Sequence, residues 1–254
     1  MMRRYRFRTA LPYLRERGPA LSKRILELAR AELALLTTIS VLGGGFWVFL
    51  TLAGGVREGE MAAFDEALML ALRTPNDISD PIGPLWLEGV MRDVTALGSQ
   101  FVLAFITLAV IGYLLLIRKH AAALLVFVSV TGGALLGDLL KLLFSRPRPD
   151  LVPHGVQVFT ASFPSNHAML SAVTYLTLGA LLARLERRRR IKLYFLTISV
   201  VLTFIVGMSR VYLGVHWPSD VIAGWAVGAA WAMAVWLVAL FLQRRGNVEP
   251  PTSG

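Results

Sequence analysis

The sequence predicts an all-α integral membrane protein with six transmembrane helices, a basic N-terminal cytoplasmic segment and short interfacial helices after the first span. Three observations predict it. Apolar residues make up 56% and charged residues 17% of the 254 positions, whereas soluble domains run at about 45–50% and about 25%. The apolar residues fall in blocks of about 20, enough for a helix to cross a hydrocarbon core about 30 Å thick. The basic residues sit in short runs between these blocks, as topology signals do.

Residues 1–32 carry nine Lys and Arg among scattered apolar positions. They lack the short apolar stretch and small-residue cleavage site of a secretory signal, and are expected to lie on anionic headgroups at the cytoplasmic face. A single six-helix domain is expected over 33–242, with a short cytoplasmic tail at 243–254. The first span runs from Leu33 to Ala53. The acidic, proline-interrupted segment 56–98 follows, within which Met61–Leu72 has helical apolar spacing but is too short to span and is expected in the interface. Further spans are expected at Gln100–Ile117, Ala121–Phe144, Ser165–Ala183, Leu193–Met208 and Ser219–Leu242. The loop from Ser145 to Pro164 holds four prolines, which exclude a helix there.

A net charge of +10 would suggest nucleic acid in a soluble chain; in separated runs it does not, and no nucleic-acid partner is expected. The absence of cysteine excludes disulfides and thiolate metal sites. Of the 26 Lys and Arg, 19 lie in the N-terminus, the turns after spans two and four, and the C-terminus. These share one side, which the positive-inside tendency assigns to the cytoplasm. Lys141, Arg146, Arg148 and Arg210 disobey it, and that is where chemistry is sought.

Three stretches bring polar groups to the outer face: Lys141-Leu-Leu-Phe-Ser-Arg146-Pro-Arg148-Pro149, Pro164-Ser165-Asn166-His167, and Ser209-Arg210 through His216 to Asp220. Lys141, Arg148 and Arg210 converging near a bilayer call for a multiply charged anion, and phosphate suits a planar guanidinium. Ser165 is a natural N-cap, so the first N–H groups of the fourth span, with Asn166, would face that anion. Two histidines add reactivity: a neutral imidazole can attack phosphorus while a protonated one serves the leaving oxygen. His216 is the better nucleophile because Asp220, four residues on, can hold its other ring nitrogen; His167 is left as the acid.

The pattern Lys, six residues, Arg-Pro; Pro-Ser-Gly-His; Ser-Arg, five residues, His, three residues, Asp resembles that of the type 2 phosphatidic acid phosphatase (PAP2) superfamily. Lys141 to Arg148-Pro149 fits the first part, Ser209-Arg210, His216 and Asp220 the third, and Asn166 stands where the second has Gly. The resemblance implies a phosphohistidine on His216, protonation of the leaving group by His167, no metal or other cofactor, and a lipid phosphate or diphosphate substrate. A lipid phosphotransferase with another acceptor and a non-catalytic lipid-binding or transport protein are the alternatives. Arg146 lies off the pattern and is expected to meet headgroups or pair with Asp150. Asp138, one turn before Lys141, is expected to be a functional carboxylate or the partner that orients Lys141. His120 and His154 are expected to be solvated bystanders.

Overall fold

The computed structural model describes residues 11–154, 156 and 160–244, with side chains described at Leu33 and from Leu36 to Leu242 within that range. The expected headgroup contacts of residues 1–32 and the tail beyond Arg244 therefore fall outside the described side chains. The chain divides after Ser40 into two compact units. Up to Ser40 the described chain is the continuous N-terminal part of helix α1 (Leu11–Glu58).

The remainder contains the end of α1, then α2 (Ala62–Leu70), a hairpin of β1 (Arg73–Thr74) and β2 (Asp77–Pro81), α3 (Leu85–Ala96), α4 (Gln100–Leu116), α5 (His120–Phe144), α6 (Asn166–Leu185), α7 (Arg189–Tyr212) and α8 (Pro218–Arg244). Five helical stretches, Leu36–Glu58, α5, α6, α7 and Pro218–Leu242, are long and apolar enough to cross a membrane, with mean hydropathy between 1.5 and 2.1. The sixth requires α3 and α4 together, bent by 47° at the break between them. At that break Ser99 caps α4, its side chain accepting from Val102 N at 3.3 Å.

Helix α6 is central. In its apolar stretch 67% is buried inside the protein, against 17–33% for the other single spans, so their remaining surfaces are left for lipid. It packs on α5, α7 and α8. Gly224 and Gly228 allow α8 to approach closely, since a Cβ at either would meet a carbonyl oxygen of α6 or its cap, Ser165 O at 2.7 Å and Met169 O at 2.6 Å. At the end of the bundle where α5 stops and α6 starts, the rings of Phe49, Phe144 and Phe163 pack together at centroid separations of 5.0–6.1 Å. They fix the loop that precedes α6.

Segment 56–98 adds a short antiparallel hairpin, β1–β2, to a mostly helical protein. Of the short helix expected at Met61–Leu72, α2 covers Ala62–Leu70, and it packs Asp65 and Met69 fully inside the protein while most of its other side chains are exposed. The hairpin is tied to the end of α7, with Arg73 donating to Tyr212 O at 2.9 Å and Tyr212 donating through its hydroxyl to Ile82 O at 3.0 Å. A guanidinium at a helix C-terminus also meets the negative end of the helix dipole. Leu87 and Met91 of α3 pack on Tyr212, Leu213 and Val215. The segment thus braces the turn that leads to His216.

Candidate active site

The three stretches singled out in the sequence meet at one end of the bundle. Arg148 donates to Val215 O at 2.7 Å, which joins the first to the third, and Ser165 N donates to Asp220 O at 3.0 Å, which joins the second to the third. The turn between α7 and α8 depends on Gly214, whose φ of +70° is left-handed. A Cβ there would also lie 2.7 Å from Val152 Cγ2 and 2.9 Å from Pro153 O. The chain therefore reverses in a few residues and delivers His216 beneath the loop before α6.

Helix α8 begins with Pro218, a residue pre-set for the first helical position. Asp220, two residues on, reaches back to accept from Trp217 N at 2.9 Å, one half of a capping box. The same oxygen, Oδ2, accepts a close hydrogen bond from Ser162 Oγ and lies 3.4 Å from His216 Nδ1. Ser162 Oγ is itself 3.4 Å from Nδ1. Asp220 is thus a helix cap and the carboxylate beside the imidazole at once.

His216 is 1% exposed. Its Nε2 lies 3.2 Å from Arg148 Nη1. A guanidinium can only donate, so Nε2 is the acceptor and the ring proton sits on Nδ1, toward Asp220 and Ser162. Burial first, then the positive charges of Arg210, Arg148 and Lys141, hold the imidazole well below its ordinary pKa. The Nε2 lone pair is free of a proton and aimed at a guanidinium.

The cations are held apart by the loop. Lys141 Nζ donates to Ala161 O at 2.5 Å and to Thr160 Oγ1 at 3.3 Å. Arg148 donates from Nε to Thr160 O at 2.7 Å and from Nη2 to Thr160 Oγ1 at 3.2 Å. One hydroxyl therefore spaces both. Burial lowers the Arg148 pKa from its ordinary value, partly offset by Asp220, without removing its charge. Arg210, 3% exposed, donates from Nη1 to Thr95 Oγ1 at 3.0 Å, and its Nε has no partner. His167, on the first turn of α6, interacts electrostatically with Arg210, His216, Arg148 and Lys141.

The structure refines three sequence expectations. Ser165 stands at the N-cap of α6 but its side chain makes no capping bond; its buried Oγ and the Asn166 Oδ1 have no partner. Asp138 accepts from Asn166 Nδ2 at 3.2 Å and does not hydrogen-bond Lys141, because Lys141 turns to the loop. It acts on Lys141 only through space. Arg146 pairs not with Asp150 but with two buried carboxylates, Asp65 and Asp220, each at 2.7 Å. Asp65, Thr160 and Ser162 were not singled out at all. Among the described residues no group of three or more His, Asp or Glu is placed to hold a metal ion.

Residues 122–244 match the PAP2 superfamily, a stretch that contains every candidate residue of the three motifs. Phosphatidylglycerophosphatase B of Bacillus subtilis (strain 168) is 34% identical over 188 residues, covering 72% of this chain and 87% of the relative. An undecaprenyl-diphosphatase of Sulfolobus acidocaldarius is 26% identical over 148 residues, covering 56% and 66%. The crystal structure of a transmembrane PAP2-type phosphatidylglycerolphosphate phosphatase from Bacillus subtilis superposes with a TM-score of 0.70 at 29% identity, covering 81% of this chain and 98% of that one. The match over residues 122–244, the relative of 34% identity covered over 87% of its length and the shared multi-span helical bundle together place this chain in the PAP2 superfamily, as an integral membrane phosphatase.

Proposed function

We propose that this enzyme removes phosphate from a lipid phosphomonoester or diphosphate through a phosphohistidine at the extracytoplasmic face. One observation carries the reading: the buried His216 turns Nδ1 to Asp220 and presents Nε2 to Arg148. The Nε2 lone pair forms the P–N bond as the P–O bond to the lipid breaks, and His167 gives its proton to the departing oxygen. His167 then takes a proton from water, the water oxygen attacks phosphorus, and the P–N bond breaks to release phosphate. Asp220 stabilises the positive charge that the ring gains when it is phosphorylated. Lys141, Arg148 and Arg210 hold the equatorial oxygens, and the unpartnered Ser165 hydroxyl and the first N–H groups of α6 add donors.

The relatives are named phosphatidylglycerophosphatase B and undecaprenyl-diphosphatase, and on this reading the motif residues would meet the phosphate that both substrates share. Phosphate release by the purified protein from phosphatidate, phosphatidylglycerophosphate, undecaprenyl diphosphate and a lipid A phosphate measures the preference, with His216→Ala as the blank. Release from none of the four would overturn the reading. Three cations stand where a metal would otherwise neutralise the phosphoryl group. Activity is expected to survive excess EDTA after metal stripping, and vanadate to inhibit in competition with substrate. Loss with EDTA and recovery with Mg²⁺ or Zn²⁺ would contradict that expectation.

The face follows from the positive-inside tendency and is tested separately. Asp150, in the loop before α6, and Arg188, between α6 and α7, are both exposed. In the cysteine-free chain, Asp150→Cys is expected to react with an impermeant maleimide on intact spheroplasts. Arg188→Cys is expected to react only after permeabilisation. The reverse pattern would move the site to the cytoplasmic face.

A further inference from the structure

Arg146 lies outside the three motifs, yet it occupies the most complete ionic network among the described residues. Its Nη1 donates to Asp220 Oδ1 at 2.7 Å and to Ser219 Oγ at 2.8 Å, and its Nη2 donates to Asp65 Oδ2 at 2.7 Å. Asp65 accepts in addition from Ser219 N at 2.8 Å and Ser219 Oγ at 2.6 Å. Both carboxylates are fully buried, and the Arg146 side chain is 13% exposed. Its guanidinium lies 5.4 Å from the centroid of the Trp217 ring, and Arg146 O accepts from Ser162 N at 2.8 Å.

Two buried carboxylates side by side repel each other, and one guanidinium between them meets both only if it is held in place. Asp65, carried in on α2 and bound to the N-terminus of α8, holds it. The two oxygens of Asp220 are then divided by function. Oδ1 is taken by Arg146, and Oδ2 is left to Ser162, Trp217 N and His216 Nδ1. Arg146 makes no hydrogen bond to His216; its partners are Asp220, Ser219 and Asp65.

The geometry points to Arg146, locked by Asp65, as a positioning residue that sets the rotamer of Asp220 and through it the tautomer and aim of the His216 imidazole. Because this rests on His216 as nucleophile, its consequence falls on turnover and not on substrate capture. Lys141, Arg148 and Arg210, which would bind the phosphate, have their own anchors in Thr160, Ala161, Val215 and Thr95. Asp65 reaches the chemistry through Arg146 and through Ser219, the residue before Asp220, and both contacts bear on the same carboxylate. Its removal therefore overlaps with the loss of Arg146 and does not multiply it.

The test is steady-state kinetics of Arg146→Gln, Arg146→Lys, Asp65→Asn and the double variant Asp65→Asn/Arg146→Gln, on whichever lipid of the panel the wild type hydrolyses, with His216→Ala alongside. Arg146→Gln is expected to lower kcat about 100-fold with KM within about threefold, a loss the size of a misplaced catalytic group. Arg146→Lys, which keeps the charge but not the two-pronged geometry, is expected to recover about tenfold of it. The double variant is expected to be no slower than the slower single variant. Turnover of Arg146→Gln within threefold of wild type, a loss confined to KM, or losses that multiply in the double variant would each overturn the assignment. If Arg146→Gln fails to give a monodisperse protein in detergent, Arg146→Lys and Asp65→Asn decide by the same split between kcat and KM. Activity in His216→Ala would instead remove the mechanism on which the assignment rests, so the two failures are told apart.

Discussion

His216→Ala is expected to lower turnover by about 10⁴-fold or more, the scale set by loss of a nucleophile or its partners in a catalytic triad. No other described side chain can replace it. His167, on α6, is within the charge environment of Arg210, Arg148 and Lys141, and among the described residues its ring makes no hydrogen bond to a carboxylate. It has no group to fix a tautomer or to stabilise a phosphorylated ring. Asp220 stays bound to Arg146, Ser162 and Trp217 N when the imidazole is gone, so the fold of the α8 start is expected to survive. Circular dichroism and thermal unfolding in detergent check that, and phosphate release gives the rate.

The second large effect is expected at Arg148. This residue alone among the cations contacts the His216 ring, and it would face the phosphoryl oxygens when Nε2 bonds to phosphorus. Arg148→Ala removes a preorganised donor aimed at developing charge, a change that costs about 10²–10³ in kcat where it has been measured for oxyanion donors. It also frees Nε2 from its only hydrogen-bond partner among the described residues. Arg148→Lys is expected to restore little, because a lysine cannot span Thr160 O, Thr160 Oγ1, Val215 O and the ring at once. A lysine variant with near wild-type kcat would reduce Arg148 to a simple counter-charge. The measurement is kcat and KM for both variants on the same lipid.

What the sequence disclosed follows from where the polar residues lie. Lys141, Arg148, His167, Arg210, His216 and Asp220 sit at helix ends, flanked by Pro149, Pro164, Gly214 and Pro218, so apolar blocks and breakers frame them and their spacing is local. The spans were legible for the same reason, and α5, α6, α7 and α8 start and end within a few residues of where the apolar blocks do. Segment 56–98 was not legible. Its strands are two and five residues long, too short to show an alternating pattern, and its partners are the end of α7 and the start of α8.

The Asp65–Arg146 pair joins residues 81 apart in sequence, and nothing about either position marks it for the other. Asp150, four residues from Arg146, was the nearer choice by chain distance and the wrong one by geometry. Ser145 explains why: it ends α5 in a left-handed conformation, with φ of 33°, and Arg146 then turns into the bundle toward α2 and α8. Ser162 and Thr160 are hydroxyls in a loop of mixed composition. Only the path of that loop past Lys141, Arg148 and Asp220 gives them a role.

The central claim is that phosphorus bonds to His216 during turnover, and trapping that bond tests it most directly. Purified enzyme mixed for a short time with lipid carrying a labelled phosphate, then denatured in alkali, is expected to retain label that is stable to base and released by acid. Digestion is expected to place the label on the peptide that contains His216, and His216→Ala is expected to retain none. Label on His167, or turnover with no labelled protein at any reaction time, would contradict the account.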